Sequence, residues 1–209
     1  MTTGQERVWY VAYGSNLSAD RFRCYLAGGR PADGLRTYAG CRDRTEPVKT
    51  VPFVIRGGLY FTGLSRAWGG GTAVYDPNGD ARIAVTAYLV NVGQLADVLA
   101  QEMRRHPGTD IDLGPLRTDG RHRCGPGRYE TILRVGVRDA LPLVTLTSER
   151  DHQATLTPPT EPYLRTMATG LRSAHGWSPG RIASYLAAIP GSDRSRAVRA
   201  SARLPPSTT

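Results

Sequence analysis

The run Val8-Trp9-Tyr10-Val11-Ala12-Tyr13 passes directly into Gly14-Ser15-Asn16-Leu17. Its β-branched and aromatic density reads as a buried strand, and the glycine with two small polar residues reads as the tight turn that ends it. Ser18 then stands where a helix N-cap belongs, ahead of residues 19–27, and Gly28-Gly29 closes that helix. The chain therefore opens as strand, turn, short helix. Such a junction presents unpaired backbone N–H groups in a positive local field, suited to a carboxylate or phosphate, although any strand-to-helix turn also wants glycine and a cap.

Downstream, the pattern is mostly strand broken by glycine. Residues 51–55, 58–61 and 72–75 read as strands, with a turn at Asp76-Pro77-Asn78-Gly79. Residues 82–90 are apolar on both alternating faces, as expected where neither side meets water. Strands at 129–137 and 143–147 follow a Gly-, Asp- and Arg-rich loop from Met103 to Gly127. Thr160, with Glu161-Pro162 in the opening turn, starts a helix that carries Leu164, Met167 and Leu171 along one face and ends at Gly176. Ser178-Pro179 start another with Ile182, Tyr185, Leu186 and Ile189 inward, stopped by Pro190. The expected fold is α+β, a small mixed β-barrel flanked by α-helices over 1–190, with a basic, disordered tail over 191–209 too poor in apolar residues to repay ordering.

Composition narrows the function classes. The net charge of +9 is almost all arginine, with Lys49 the only lysine, and it is scattered except in the tail. Scattered charge argues against nucleic acid as a partner. No long apolar run or hydrophobic leader is present, so a soluble, cytoplasmic protein is expected, with no membrane partner. Cys24, Cys41 and Cys124 are odd in number and irregularly spaced, and read as free thiols. His122-Arg123-Cys124 reads as loop rather than as a ligand pair, because two spaced residues make no complete metal site.

One carboxylate stands out. Asn91 is a candidate N-cap for a helix whose apolar stripe runs Val92, Leu95, Leu99, and Glu102 falls on that stripe while Asp97 points elsewhere. A carboxylate turned to the core near a helix C-terminus has its charged form disfavoured and its pKa raised, which poises it as a general acid/base. If the helix frays before His106-Pro107, Glu102 instead turns to solvent.

At these residues the sequence resembles the γ-glutamylcyclotransferase family. Trp9 to Leu17 resembles its Y-x-x-Y-G-S-N-L strand and loop, and Trp68-Gly69-Gly70-Gly71-Thr72-Ala73 its Gly-Gly segment opening a strand. Val90 to Glu102 looks like its helix ending in the catalytic glutamate, and Pro159-Thr160-Glu161-Pro162-Tyr163, with Gly170, resembles its P-x-x-x-Y motif. The resemblance spans about Val8 to Pro190 and implies Glu102 as the proton-transferring residue. It implies substrate contacts from Tyr10, Val11, Ala12, Tyr13, Gly14, Ser15 and Tyr163. The implied substrate is a small γ-glutamyl amide, whose α-amine attacks its own γ-carbonyl to give 5-oxoproline and a free amine.

That chemistry asks for no protein nucleophile, no metal and no cofactor, only correct folding of a flexible side chain and proton traffic. The loop N–H groups would hold either the α-carboxylate or the developing oxyanion. The leaving group stays open: an amino acid, an amine or a natural-product precursor carrying a γ-glutamyl protecting group. A non-catalytic ligand-binding member of the fold is the alternative. The loop after Glu102, with Arg104, Arg105, Arg121 and Arg123, is expected to border the pocket mouth. Oligomeric state, a homodimer included, is not fixed by the sequence.

Overall fold

Every residue of β1 (Arg7–Ala12) after Arg7 is buried, because the strand lies inside a sheet covered on both faces. The computed structural model describes residues 6–148 and 155–204. After β1 come a 3-10 turn (Ser15–Leu17), α1 (Ala19–Leu26), β2 (Lys49–Thr62), β3 (Thr72–Asn91) and α2 (Val92–Glu102). Then follow α3 (Gly114–Asp119), β4 (Arg121–Arg123), β5 (Thr131–Arg138), β6 (Leu141–Thr147), α4 (Glu161–His175), α5 (Pro179–Ala188) and α6 (Arg194–Ala202). Among these residues no helix is long and apolar enough to cross a membrane.

The sheet has six strands in the order β2-β3-β1-β6-β5-β4. β1 runs antiparallel to β3, with Tyr10 opposite Tyr88, and parallel to β6, with Tyr10 opposite Val144. Strand alternation then divides two cores. Trp9 and Val11, with Tyr13 beyond the strand, face α4 and α5; Val8, Tyr10 and Ala12 face α1 and α2. The α+β class holds, but the expected barrel is corrected to an open sheet. Its outer strands β2 and β4 do not pair, and helices rather than strand closure cover both faces.

The strands expected separately at 51–55 and 58–61 form one strand, and those at 72–75 and 82–90 form another. The ladder jumps from Gly57 opposite Ala81 to Gly58 opposite Asp76, so 77–80 ride as an extra segment inside β3. The anticipated turn at 76–79 is this bulge, with the Asn78 N–H donating to Asp76 Oδ1 at 2.9 Å.

Helix boundaries follow their caps. Ser18 accepts from the Arg21 N–H, and Asn91 with Gln94 forms a full capping box at 2.7 and 3.2 Å. The capping box fixes the phase of α2, burying Val92, Leu95 and Leu99. Asp97 is buried as well: its carboxylate accepts from Arg42 N at 2.8 Å, Arg42 Nε at 3.1 Å and Gly108 N at 3.1 Å.

The tail expectation is corrected for the described residues. α6 packs Ala197 and Ala200 into the core of α4 and α5, and Glu161 accepts from Arg199 at 3.1 Å and Arg203 at 3.3 Å. Two alanines bury little apolar area, which is why composition alone misses the docking; residues 205–209 lie outside the described chain. Cys24, Cys41 and Cys124 are free thiols, and burial pushes Cys41 up to about 12.

Candidate active site

Where β1 ends, the chain turns through Gly14 and the 3-10 turn, and a cavity of about 100 Å³ opens beside it. Its wall is built from the turn, α1, the Ser65–Trp68 loop, the start of β3, Glu102, Arg128-Tyr129 and Tyr163. Sequence stretches far apart in the chain therefore meet at one hollow. The turn is pinned from behind by α4: a Cβ on Gly170 would fall 2.5 Å from the Leu17 carbonyl oxygen, so only glycine permits that approach.

Tyr10, Tyr13, Gly14, Ser15 and Tyr163 all line the cavity. The Tyr13 hydroxyl donates to the Leu146 carbonyl at 2.6 Å, and the Tyr163 hydroxyl accepts the Ala73 N–H at 3.0 Å. Gly14 lies close enough to Tyr163 that a Cβ there would come 2.8 Å from its hydroxyl. Val11 and Ala12 do not line the cavity: their side chains are buried in the two cores, which Tyr13 and Tyr10 also enter while reaching the cavity wall. The Val11 carbonyl accepts from Thr145 Oγ1 at 2.7 Å.

Glu102 is the last residue of α2 and, among the described residues, the only carboxylate on the wall. Its side chain is half-buried, with Oε1 accepting from Asn16 Nδ2 at 3.4 Å. The same Nδ2 donates to the Tyr10 hydroxyl at 3.1 Å, which ties the turn to both strand and helix. Burial pushes the Glu102 carboxyl above the ordinary glutamate range; the Arg21 charge, the nearby Tyr25 hydroxyl and the charges of Arg128 and Arg36 pull it back. Burial and the Glu102 charge together push the Tyr10 hydroxyl up.

Five arginines share the wall with that single acid: Arg21, Arg36, Arg66, Arg104 and Arg128. Such an excess favours an anionic ligand. Arg36 donates to the Gln101 carbonyl and Arg128 to the Thr62 carbonyl, while Arg66 and Arg104 stand exposed at the rim. Of the loop arginines expected at the mouth, Arg104 is there, whereas Arg105, Arg121 and Arg123 are not; Arg105 is spent on the carbonyls of Cys124 and Pro126. Within the 103–127 loop, α3 and β4 form regular elements, and the flanking residues stay irregular.

Sequence reasoning missed Asn16 and Arg21 as site residues. A signal for Arg21 existed: it shares the face of α1 that buries Phe22, Tyr25 and Leu26, and a charged residue on an apolar stripe needs a reason. Among the described residues no group of three His, Cys, Asp or Glu side chains gathers as a metal site.

No family model matches the chain. A curated protein from Arabidopsis thaliana named Histone deacetylase 5 is 29% identical over 199 residues, covering 86% of this chain. The chain spans 30% of that relative's length. A solved structure named gamma-glutamyl cyclotransferase overlays 81% of this chain and 81% of its own, at 14% identity and a TM-score of 0.49. An uncharacterized protein from Homo sapiens overlays the same shares at 14% identity and a TM-score of 0.48. Likeness of that degree leaves the functional reading to the cavity and to the motifs around it.

Proposed function

We propose that this chain is a γ-glutamylcyclotransferase-type enzyme. It converts a γ-glutamyl amide into 5-oxoproline and a free amine, with Glu102 as the acid/base. The observation that carries the reading is one half-buried carboxylate, raised in pKa by burial, on the wall of a small arginine-lined cavity. All four motif stretches of the resemblance contribute to that cavity: Tyr13 to Asn16, Trp68 with Thr72-Ala73, Glu102 and Tyr163.

The chemistry proceeds without a protein nucleophile. Glu102, ionised, takes a proton from the substrate's α-ammonium, and the freed amine attacks the γ-carbonyl carbon to close a five-membered ring. As the C–N bond to the leaving group breaks, Glu102 returns its proton to the departing nitrogen. The ring nitrogen, still carrying two protons after the attack, gives up the second to the freed amine, which leaves as its ammonium with Glu102 ionised again. A raised pKa suits both halves of this traffic, since it makes the carboxylate a better base and holds the returned proton more firmly until the leaving nitrogen takes it. Asn16 Nδ2, bonded to Glu102 Oε1 at 3.4 Å, orients the carboxylate. The exposed rim arginines Arg66 and Arg104 favour a leaving group with a polar or anionic end.

The test is a panel of γ-glutamyl amides incubated with the purified protein, with products separated and quantified. Equimolar 5-oxoproline and free amine is the expected result. Release of glutamate in place of 5-oxoproline would mean that water, not the α-amine, is the nucleophile, and the proposal would fail.

A further inference from the structure

Two buried side chains on the cavity wall carry polar atoms without a protein partner, and their chemistry is complementary. Arg21 is 3% exposed, with its guanidinium 4.3 Å from the ring centroid of Tyr25 and 4.2 Å from that of Tyr38. Its Nε and Nη1 are inaccessible to solvent and meet no acceptor among the described residues. Asn16 is 5% exposed, and its Oδ1 meets no donor among them, because Nδ2 is the atom turned to Tyr10 and Glu102. A guanidinium buried with idle donors is costly unless something else accepts from it. The other inner arginines differ, since Arg36 and Arg128 already donate to carbonyls.

Donors at Arg21 and acceptors at Asn16 Oδ1 and Glu102 form a mixed-sign pair of subsites on one small cavity. A zwitterionic α-amino acid head has the matching arrangement, an anionic carboxylate and a cationic ammonium on one carbon. We infer that Arg21 binds the α-carboxylate of the substrate's glutamyl head, and that Asn16 Oδ1 accepts a hydrogen bond from its α-ammonium beside Glu102. This assignment rests on the proposed reaction for the rest of the ligand, but recognition of the head can be measured without turnover. Rings above the guanidinium hold it in place and keep water off it, so that little ordering remains when the carboxylate arrives.

The experiment measures equilibrium binding by calorimetry, with the Glu102→Gln protein as host so that chemistry is silenced. Three probes are used: γ-glutamyl-alanine, 4-aminobutyryl-alanine (no α-carboxylate) and glutaryl-alanine (no α-amine). The host should bind the first about 10- to 100-fold more tightly than the second, the worth of a charge-assisted pair in a desolvated site. It should also bind the first more tightly than the third. Adding Arg21→Lys, which keeps the charge and loses the fork, should erase most of the carboxylate preference while leaving 4-aminobutyryl-alanine affinity unchanged. Equal affinity of the host for the first two probes would overturn the assignment, and so would an equal loss for all three probes on Arg21→Lys, which marks a structural role. If Arg21→Lys does not fold, Arg21→Gln in the same host takes its place, and a carboxylate preference that survives that substitution would overturn the assignment. Native protein that forms 5-oxoproline without any carboxylate preference would refute the subsite and spare the reaction; Arg21-dependent preference without 5-oxoproline would do the reverse.

Discussion

Replacing Gly170 by alanine should destabilise the protein and loosen its site, against the usual preference of a helix for alanine. In α4 the substitution alone favours folding by about 1 kcal/mol. The added Cβ, however, would lie 2.5 Å from the Leu17 carbonyl oxygen and the Ser18 nitrogen, and nearer still to the Leu17 carbonyl carbon. To pass from 2.5 Å to beyond the 3.0 Å that real Cβ contacts respect, helix and turn must part by about half an ångström, and these are backbone atoms with no rotamer to yield. Overpacking of that kind costs about 1–3 kcal/mol, and its upper range applies here, leaving a net loss of about 1–2 kcal/mol. For a chain of this size the loss lowers Tm by about 2–8 °C. The same displacement carries the Asn16–Glu102 contact, already 3.4 Å, out of hydrogen-bond range, so kcat/KM should fall as well. Gly180 in α5 is the control, since a Cβ added there would meet nothing within 4 Å and alanine should hold or raise Tm. Calorimetric melting of both variants is the assay. A Gly170→Ala protein as stable as the native one would refute the claim that this close approach positions the turn.

Further outcomes follow from the same geometry. Asn91→Ala removes half of the capping box on α2 and should cost about 0.5–2 kcal/mol in urea denaturation. Burial raises the folded-state pKa of Glu102, so its stability contribution is full below the unfolded value and is lost as pH rises through the folded one. Glu102→Gln should therefore match the native Tm at acid pH and exceed it at neutral pH. The acid limb of native kcat/KM should likewise fall above the ordinary glutamate value of about 4.3; a limb at or below that value would contradict the burial argument. Truncation after Pro190 should lower Tm by several degrees, because it uncovers the core face that Ala197 and Ala200 fill.

What could be read in the sequence was mostly local. The caps at Ser18, Asn91 and Ser178 were legible because a cap depends on residues within one helical turn. Phase then followed, and with it the place of Glu102 at the end of the α2 stripe. What escaped was non-local. Whether a sheet closes depends on whether its outermost strands find each other, and no pattern within β2 or β4 encodes that. Asp97 reads only as an acid off the apolar stripe until Arg42, 55 residues away, is brought against it. The docking of α6 uses two alanines and the carboxylate of Glu161, a partner no window of the tail contains. At the site, Glu102 and the Tyr13-Gly14-Ser15 turn carried recognisable patterns. Arg21 left only the weak signal of a charge on the buried face of α1, and Asn16 became visible as a site residue only when its unpartnered Oδ1 could be identified.

The most direct test of Glu102 as the acid/base is 5-oxoproline release from the best γ-glutamyl amide by native and Glu102→Gln proteins, with substrate affinity and melting temperature measured alongside. A positioned acid/base contributes about 100-fold or more, so turnover in the variant should fall by at least that factor while the fold persists and substrate still binds. Near-native release of 5-oxoproline from the folded variant would contradict the assignment.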